Sequence, residues 1–105
     1  MILPSKELIS EVLSKEVEEE RFIDSNSLTY VNSGIYEDIN IYEFAFKCKE
    51  WALSVYHNID FMVYGRSQCD LIIFTQPDDI KYNFNEDTEI EAIFKACDYI
   101  MKQKK

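Results

Sequence analysis

The chain has 105 residues, a formal net charge of −9 and a sequence pI near 4.5. Hydrophobic residues make up 47% and charged residues 30%, a composition typical of a folded globular protein and not of a disordered tail. The acidic balance argues against direct nucleic-acid binding, because contact with phosphates needs clustered Lys and Arg. The length is that of one domain, so we predict a single domain over residues 1–105.

The cysteines and the one histidine predict no metal and no cofactor. Cys48, Cys69 and Cys97 show no CxxC spacing, and His57 has no partner at metal-ligand spacing. His57 is either a general base or a plain residue at a helix end, and the second interpretation is favoured because no nucleophile or carboxylate is placed near it. We expect Cys48 and Cys97 to be buried in helices and Cys69, at the start of a strand, to be partly exposed.

The start of the chain, MILPSKELIS, lacks the basic segment and the long apolar run of a secretory signal. No segment approaches the 18 consecutive apolar residues or more that a transmembrane helix needs. Together with the odd number of cysteines, these features predict a cytoplasmic protein without membrane contact.

The first predicted element is a helix that begins after Pro4. Ser5 is the predicted N-cap, and apolar residues follow at helical spacing (Leu8, Ile9, Val12 and Leu13). We predict that this helix runs to about Glu18 and that the acidic run EVEEER is its solvated end.

The next stretch, residues 22–39, has a weaker pattern. Residues 24–27 and 32–34 have the composition of turns, and residues 28–31 have that of a short strand. The prediction is a connector with one edge strand.

Residues 41–56 are predicted to form a long central helix. Asn40 is its predicted N-cap, and Glu43 can reach back to the Asn40 amide in a capping box. One stripe is predicted to face the core (Ile41, Phe44, Ala45, Cys48, Trp51, Ala52 and Val55). A second stripe, Tyr42, Phe46 and Leu53, is either covered by the N-terminal helix or exposed as a binding patch for a partner or a second copy of the chain.

Three runs rich in β-branched and aromatic residues follow, at positions 59–64, 69–75 and 80–84. The turns GRSQ and QPDD separate them, which predicts an antiparallel meander. The middle run, DLIIFT, is apolar at both odd and even positions and is therefore predicted to be a central strand covered on both faces.

The last predicted element is a helix that begins at Asp87 or Thr88. Thr88 and Glu91 form a capping box, and the Lys-rich tail suits the end of a helix. Its predicted core stripe has six members (Ile90, Ile93, Phe94, Cys97, Ile100 and Met101).

Two stretches carry a family resemblance, INIYEFAFKCKEWAL and EDTEIEAIFKACDYI. They resemble the phage ABA sandwich domain, a group of small phage and prophage proteins in which two helices, a meander and a final helix entered through an Asp-Thr-rich turn follow in that order. The likeness is closest in DTEIEAIFKAC. It implies an α-β-α layered fold and a phage or prophage origin, and it implies no catalytic residue.

The order αβββα is also similar to that of double-stranded RNA-binding domains. Such domains need a lysine cluster at the start of the last helix, where this chain has acidic residues (Glu86, Asp87, Glu89 and Glu91). We therefore predict no RNA binding.

Acidic residues form four groups, at positions 16–20, 37–38, 78–79 and 86–91. None has the spaced Asp/Asn pattern and glycine of a calcium loop. The groups are either an ordinary solvated surface or a track of carboxylates that imitates the phosphates of a nucleic acid in a basic groove.

The predicted fold class is α+β, a three-layer α-β-α sandwich-like arrangement in the order α-(β)-α-β-β-β-α. The central and last helices lie on one face of the three-stranded antiparallel meander and the N-terminal helix lies near the other. The predicted function is that of a non-enzymatic, small, acidic phage or prophage accessory protein. It would bind a protein with a basic surface, such as a host defence or nucleic-acid-processing protein.

The predicted contact residues are those of the second helical stripe and of the acidic group before the last helix (Tyr42, Phe46, Leu53, Glu86, Asp87, Glu89 and Glu91). The alternative is a structural or self-associating protein, with a homodimer formed through Tyr42, Phe46 and Leu53.

Overall fold

The computed structural model describes residues 2–55, 59–64, 68–73 and 80–104. In this part the chain is α+β, with three helices and two three-stranded antiparallel sheets. The elements in chain order are α1 (Lys6–Leu13), β1 (Val17–Asp24), β2 (Ser27–Asn32), β3 (Ile35–Asn40), α2 (Ile41–Val55), β4 (Ile59–Tyr64), β5 (Gln68–Ile73), β6 (Ile80–Asn85) and α3 (Glu89–Lys104).

Helix α1 is shorter than the sequence predicts. Its N-cap is Ser5, as predicted, since the Ser5 side chain accepts a hydrogen bond from the Leu8 N–H. The helix ends because Ser14 adopts a left-handed conformation with φ of 53°. The prediction that it continues to Glu18 is wrong, and Val17 instead begins a strand.

The first sheet, β1-β2-β3, replaces the predicted connector with its single edge strand. Both predicted turns are present, as two-residue hairpin loops that join Asp24 to Ser27 and Asn32 to Ile35. The predicted strand is β2, which lies at the centre of this sheet. The prediction missed its neighbours because β1 and β3 are rich in charged residues, which strands ordinarily contain rarely.

Helix α2 has the predicted start. Asn40 Oδ1 accepts hydrogen bonds from the backbone N–H groups of Tyr42 (2.9 Å) and Glu43 (3.2 Å). Of the predicted core stripe, five residues are buried (Ile41, Phe44, Ala45, Cys48 and Ala52). Trp51 is half-buried. Val55 is exposed, so the prediction for that residue is wrong; it is the last described residue of the helix.

The second sheet, β4-β5-β6, confirms the predicted antiparallel meander. Strand β5 lies at its centre and begins at Gln68, one residue earlier than predicted; residues 74–75 of the predicted strand lie outside the described residues. Cys69 and Leu71 are buried on the face that the helices cover. Asp70 is buried on the other face, but its neighbours Met62 and Asn83 on the adjoining strands are exposed, so the described residues do not confirm the predicted cover on both faces. Asp70 is 1% exposed; Asn83 Nδ2 donates to it (2.6 Å), and Lys81 Nζ lies 2.9 Å from it.

Helices α2 and α3 pack on this second sheet, as predicted: α2 contacts β4, and α3 contacts β5 and β6. The two helices also contact each other, with the rings of Phe44 and Phe94 5.6 Å apart. On the sheet side of α3, the Tyr99 ring packs on Tyr82 at 4.6 Å.

Helix α1 contacts β1, α2 and α3. The prediction that it lies near the other face of the meander is therefore wrong, and in the described part of the chain the three helices all contact one another. One buried cluster joins both sheets to the helices, with Leu8, Leu28, Phe44, Leu71 and Phe94 among its members. None of the described helices has the length and apolar character that a membrane span requires.

Candidate partner-binding site

The second stripe of α2 is exposed. Tyr42, Phe46 and Leu53 keep 60%, 58% and 44% of their surface accessible. Helix α1 does not cover them; it meets α2 beside Trp51, where Val12 and Trp51 line a common cleft. Of the two interpretations that the sequence leaves open for this stripe, the exposed one is therefore the one observed.

The N-terminal part of the stripe, Tyr42 and Phe46, borders a groove of about 320 Å³ between α2 and the start of α3. Ala45, Ile90 and Ile93 line it and are buried, so they form an apolar floor. The exposed rings of Tyr42 and Phe46 line it as well. Next to the lining residues, α2 and α3 pack together through the rings of Phe44 and Phe94.

Thr88 and two charged residues complete the lining, Lys49 from α2 and Glu89 from α3. Lys49 lies on the same stripe as the aromatic residues, at the seventh position after Tyr42. Glu89 is exposed in the first turn of α3. The groove thus combines an apolar floor, two aromatic rings and one charge of each sign.

The other predicted acidic contact residues have different surroundings. Asp87 is exposed and Glu86 is half-buried. Glu91 is only 4% exposed, and its carboxylate accepts hydrogen bonds from the Ile2 N–H (3.0 Å) and the Thr88 hydroxyl (3.0 Å). The prediction that Glu91 contacts a partner is therefore wrong, since this side chain is already used to cap α3 and to hold the N-terminal segment.

A second carboxylate of α3 also holds the N-terminal segment. Asp98 accepts hydrogen bonds from both the hydroxyl and the backbone N–H of Ser5. Burial raises the pKa of the Asp98 carboxyl above its usual range, and the bonds from Ser5 partly oppose that rise. Sequence reasoning missed this contact because Ser5 and Asp98 are 93 positions apart.

Asp98 also lines a cavity of about 450 Å³ with Ser5, Lys95, Tyr99 and Lys102. A carboxyl of raised pKa next to a hydroxyl is a combination that some enzymes use. Here the Ser5 oxygen accepts the Leu8 N–H as a helix cap while its proton goes to Asp98. The pair therefore joins the start of α1 to α3, and we assign it a structural role.

Several acidic residues of the first sheet have partners within the chain. Glu19 forms an ion pair with Lys6, and Glu20 accepts a hydrogen bond from the Tyr36 hydroxyl. Glu37 binds Lys15 Nζ (3.1 Å) and Asn32 Nδ2 (2.9 Å), and these two donors lower the pKa of its carboxyl. The acidic group at 78–79 lies outside the described residues, as does His57.

All three cysteines are buried and free. Burial, and secondarily the neighbouring Cys97, raises the pKa of Cys48. Burial also raises the pKa of Cys69 to about 12. The prediction that Cys69 is partly exposed is wrong, because its side chain faces the core between the second sheet and the helices.

No protein-family model, curated protein or solved structure matches this chain. The groove and the stripe are therefore interpreted from their own chemistry. Among the residues with described positions, no group of three His, Cys, Asp or Glu side chains is arranged to hold a metal ion.

Proposed function

We propose that this protein is a non-enzymatic accessory protein that acts by binding another protein through α2. The observation that carries the proposal is the exposure of Tyr42, Phe46 and Leu53 along one helix face. Exposed aromatic side chains grouped on one surface are typical of protein interfaces, whereas single exposed apolar residues are ordinary.

The proposed partner has a basic surface. A net charge of −9, with Glu89 exposed in the groove that Tyr42 and Phe46 line, would speed association with such a partner. The resemblance of INIYEFAFKCKEWAL and EDTEIEAIFKACDYI to phage ABA sandwich proteins supports a phage or prophage origin. A host defence or nucleic-acid-processing protein in the cytoplasm is the partner class that we propose. The proposal does not depend on the three-layer arrangement that the resemblance implies, because it rests on the exposed face of α2.

Imitation of nucleic acid is a narrower form of the same proposal, and fewer observations support it. Its support is the overall negative charge. Lys6 and Lys15 pair with Glu19 and Glu37, and Glu91 is buried, so several carboxylates of the proposed track are engaged within the chain.

A comparative pull-down tests the proposal. Tagged wild-type protein and a Phe46→Ala/Leu53→Ala variant are incubated with bacterial lysate, and retained proteins are identified by mass spectrometry. The expected result is a protein held by the wild type and lost by the variant, with binding then reproduced between purified proteins. Phe22→Ala, which removes an exposed ring from β1, is the matched control and should retain that protein. Equal retention by the wild type and the double variant would contradict the proposal.

The alternative function is self-association through the same stripe. Tyr42, Phe46, Lys49 and Leu53 are spaced by four, three and four residues, the spacing with which helices pair along a seam. Sedimentation equilibrium over a wide concentration range decides it. A monomer at every concentration excludes the alternative, whereas a dimer that Phe46→Ala dissociates supports it.

A further inference from the structure

The groove between α2 and α3 has a more specific chemistry than the rest of the stripe. Its volume of about 320 Å³ is at the lower end of the range for small-molecule sites. We therefore consider one large side chain of a partner as its occupant. The buried floor of Ala45, Ile90 and Ile93 suits an aliphatic stem. The exposed rings of Tyr42 and Phe46 line the same groove, and aromatic rings attract planar and cationic groups.

The charges around the groove indicate that this group is a cation. Glu89 lines the groove and is exposed, and the Glu91 carboxylate lies directly behind the lining residue Thr88, 3.0 Å from its hydroxyl. The free backbone N–H groups at a helix start can attract anions. In the first turn of α3, however, a side-chain oxygen already accepts a hydrogen bond from one of these N–H groups. The Glu91 N–H donates to the Thr88 hydroxyl oxygen (3.2 Å), and the Glu91 carboxylate is buried beside it. An anion would meet these carboxylates at close range.

Arginine fits the groove better than lysine does. A guanidinium is planar and weakly hydrated, so it can lie on an aromatic ring while its edge donates hydrogen bonds to a carboxylate. An ammonium is more strongly hydrated and has no planar face to lie on a ring, so it combines the two contacts less favourably. Lys49 repels a cation from its side of the groove, and this directs the guanidinium toward Glu89.

We propose that the α2–α3 groove binds an arginine side chain presented by a protein partner. The stem lies on Ile90 and Ile93, and the guanidinium lies against Phe46 or Tyr42 and donates to Glu89. This inference rests on the proposed function, because it names the residue by which the partner is anchored.

An NMR titration of the whole, isotope-labelled chain tests it, with N-acetyl-arginine methylamide as the probe and N-acetyl-lysine methylamide as the comparison. The arginine probe is expected to shift the amide signals of residues 42–49 and 88–93 in a saturable way. The lysine probe is expected to bind at least about threefold more weakly. Shifts scattered over all acidic residues, or equal binding of the two probes, would overturn the proposal.

Two variants and two controls separate the groove from general acidity. Glu89→Gln should weaken the arginine probe by about three- to fivefold, which is the upper range for an exposed ion pair. Glu16→Gln removes the same charge from an exposed site in the loop before β1 and should leave the affinity unchanged. Phe46→Leu keeps an apolar side chain but removes the ring, so it should abolish the preference for arginine, whereas Phe22→Leu should not. Equal losses from Glu89→Gln and Glu16→Gln would contradict the proposal.

The outcome for the proposed function is separate. If a pull-down partner is lost on Phe46→Ala/Leu53→Ala but no arginine probe binds, the protein binds through its helix face and the arginine proposal is wrong. If the probe binds at the groove and the identified partner also loses affinity on Glu89→Gln, both proposals are supported.

Discussion

The two sheets have the same topology and differ in how their sequences specify it. Both are three-stranded antiparallel meanders. The second sheet is built from β-branched and aromatic runs, and the helices cover one of its faces. The first sheet contains the strand VEEERFID, in which only Val17 is buried. The central strand β2 contributes Leu28 and Tyr30 to the core, whereas β1 is held by its pairing with β2, a tight turn and polar contacts, which single-strand patterns do not show.

The contacts across the first sheet illustrate the difference. Glu18 Oε1 accepts a hydrogen bond from the Gly34 N–H (2.9 Å), and the Tyr36 hydroxyl donates to Glu20. Acidic residues for which the sequence predicts a solvated helix end are thus residues of β1, with partners in the β2–β3 turn and on β3. A charged segment can be a strand when its neighbours supply donors.

The largest expected effect tests whether the two sheets share one core. Leu28 in β2 and Leu71 in β5 are both fully buried in the same cluster. Leu28→Ala and Leu71→Ala should each lower the free energy of unfolding by about 2–5 kcal/mol, because truncating a buried leucine to alanine leaves a cavity in the core. Urea denaturation followed by circular dichroism should show one cooperative transition for each variant. Two separate transitions would mean that the sheets unfold independently.

The next effect tests the dependence of the first sheet on its turns. Gly34 has a φ of +82°, and a Cβ added there would touch nothing within 4 Å, so Gly34→Ala perturbs only the backbone. The expected loss is roughly 1 kcal/mol of unfolding free energy. Gly34→Asn should lose less, since asparagine tolerates this conformation. Equal stability of Gly34→Ala and the wild type in urea would show that the turn does not limit this sheet.

A pH experiment tests the attachment of the N-terminal segment to α3. Because burial raises the pKa of Asp98 in the folded state, its contribution to stability is full below the unfolded pKa and is lost as pH rises through the folded pKa. The difference in unfolding free energy between wild type and Asp98→Asn should therefore shift against the wild type as pH rises over this window. Asparagine also changes the bonds to Ser5, which adds a pH-independent offset. A difference that stays constant with pH would contradict the expected titration.

The smallest expected effect has the opposite sign and lies in the first sheet. The Asn32 amide and then the Lys15 ammonium lower the pKa of Glu37, so its contribution to stability is present above the unfolded pKa and is lost as pH falls through the folded pKa. Carboxyl NMR should find the Glu37 pKa below its usual range. Asn32→Ala and Lys15→Met should each raise the Glu37 pKa. Lys6 pairs with Glu19 instead, so Lys6→Met should leave the Glu37 pKa unchanged. An unchanged Glu37 pKa in both of the first two variants would show that these bonds do not persist in solution.

The elements that the sequence predicts correctly are those with a strong local signal. Asn40 and Ser5 cap helices through bonds to residues two or three positions away, and Thr88 and Glu91 do the same at α3. The core stripes of α2, apart from Val55, and of α3 follow from apolar residues at helical spacing, and the second sheet follows from runs of β-branched and aromatic residues. Helical spacing also identifies a second stripe on α2 (Tyr42, Phe46 and Leu53). Spacing does not tell whether this stripe is exposed, because its exposure depends on where α1 packs.

The amino-acid sequence by itself determined the helix starts, the turns at 25–26 and 33–34, and the second sheet, because their causes lie within a few residues. Only the tertiary structure decided the rest. It made the acidic stretch after α1 a strand, since this stretch pairs with β2, and Gly34 and Tyr36 donate to its carboxylates. It buried Glu91 against Ile2 and joined Asp98 to Ser5, from opposite ends of the chain. It also left the Phe46 face open beside Glu89, because α1 packs elsewhere on α2. These outcomes depend on contacts between distant positions, which no local pattern encodes.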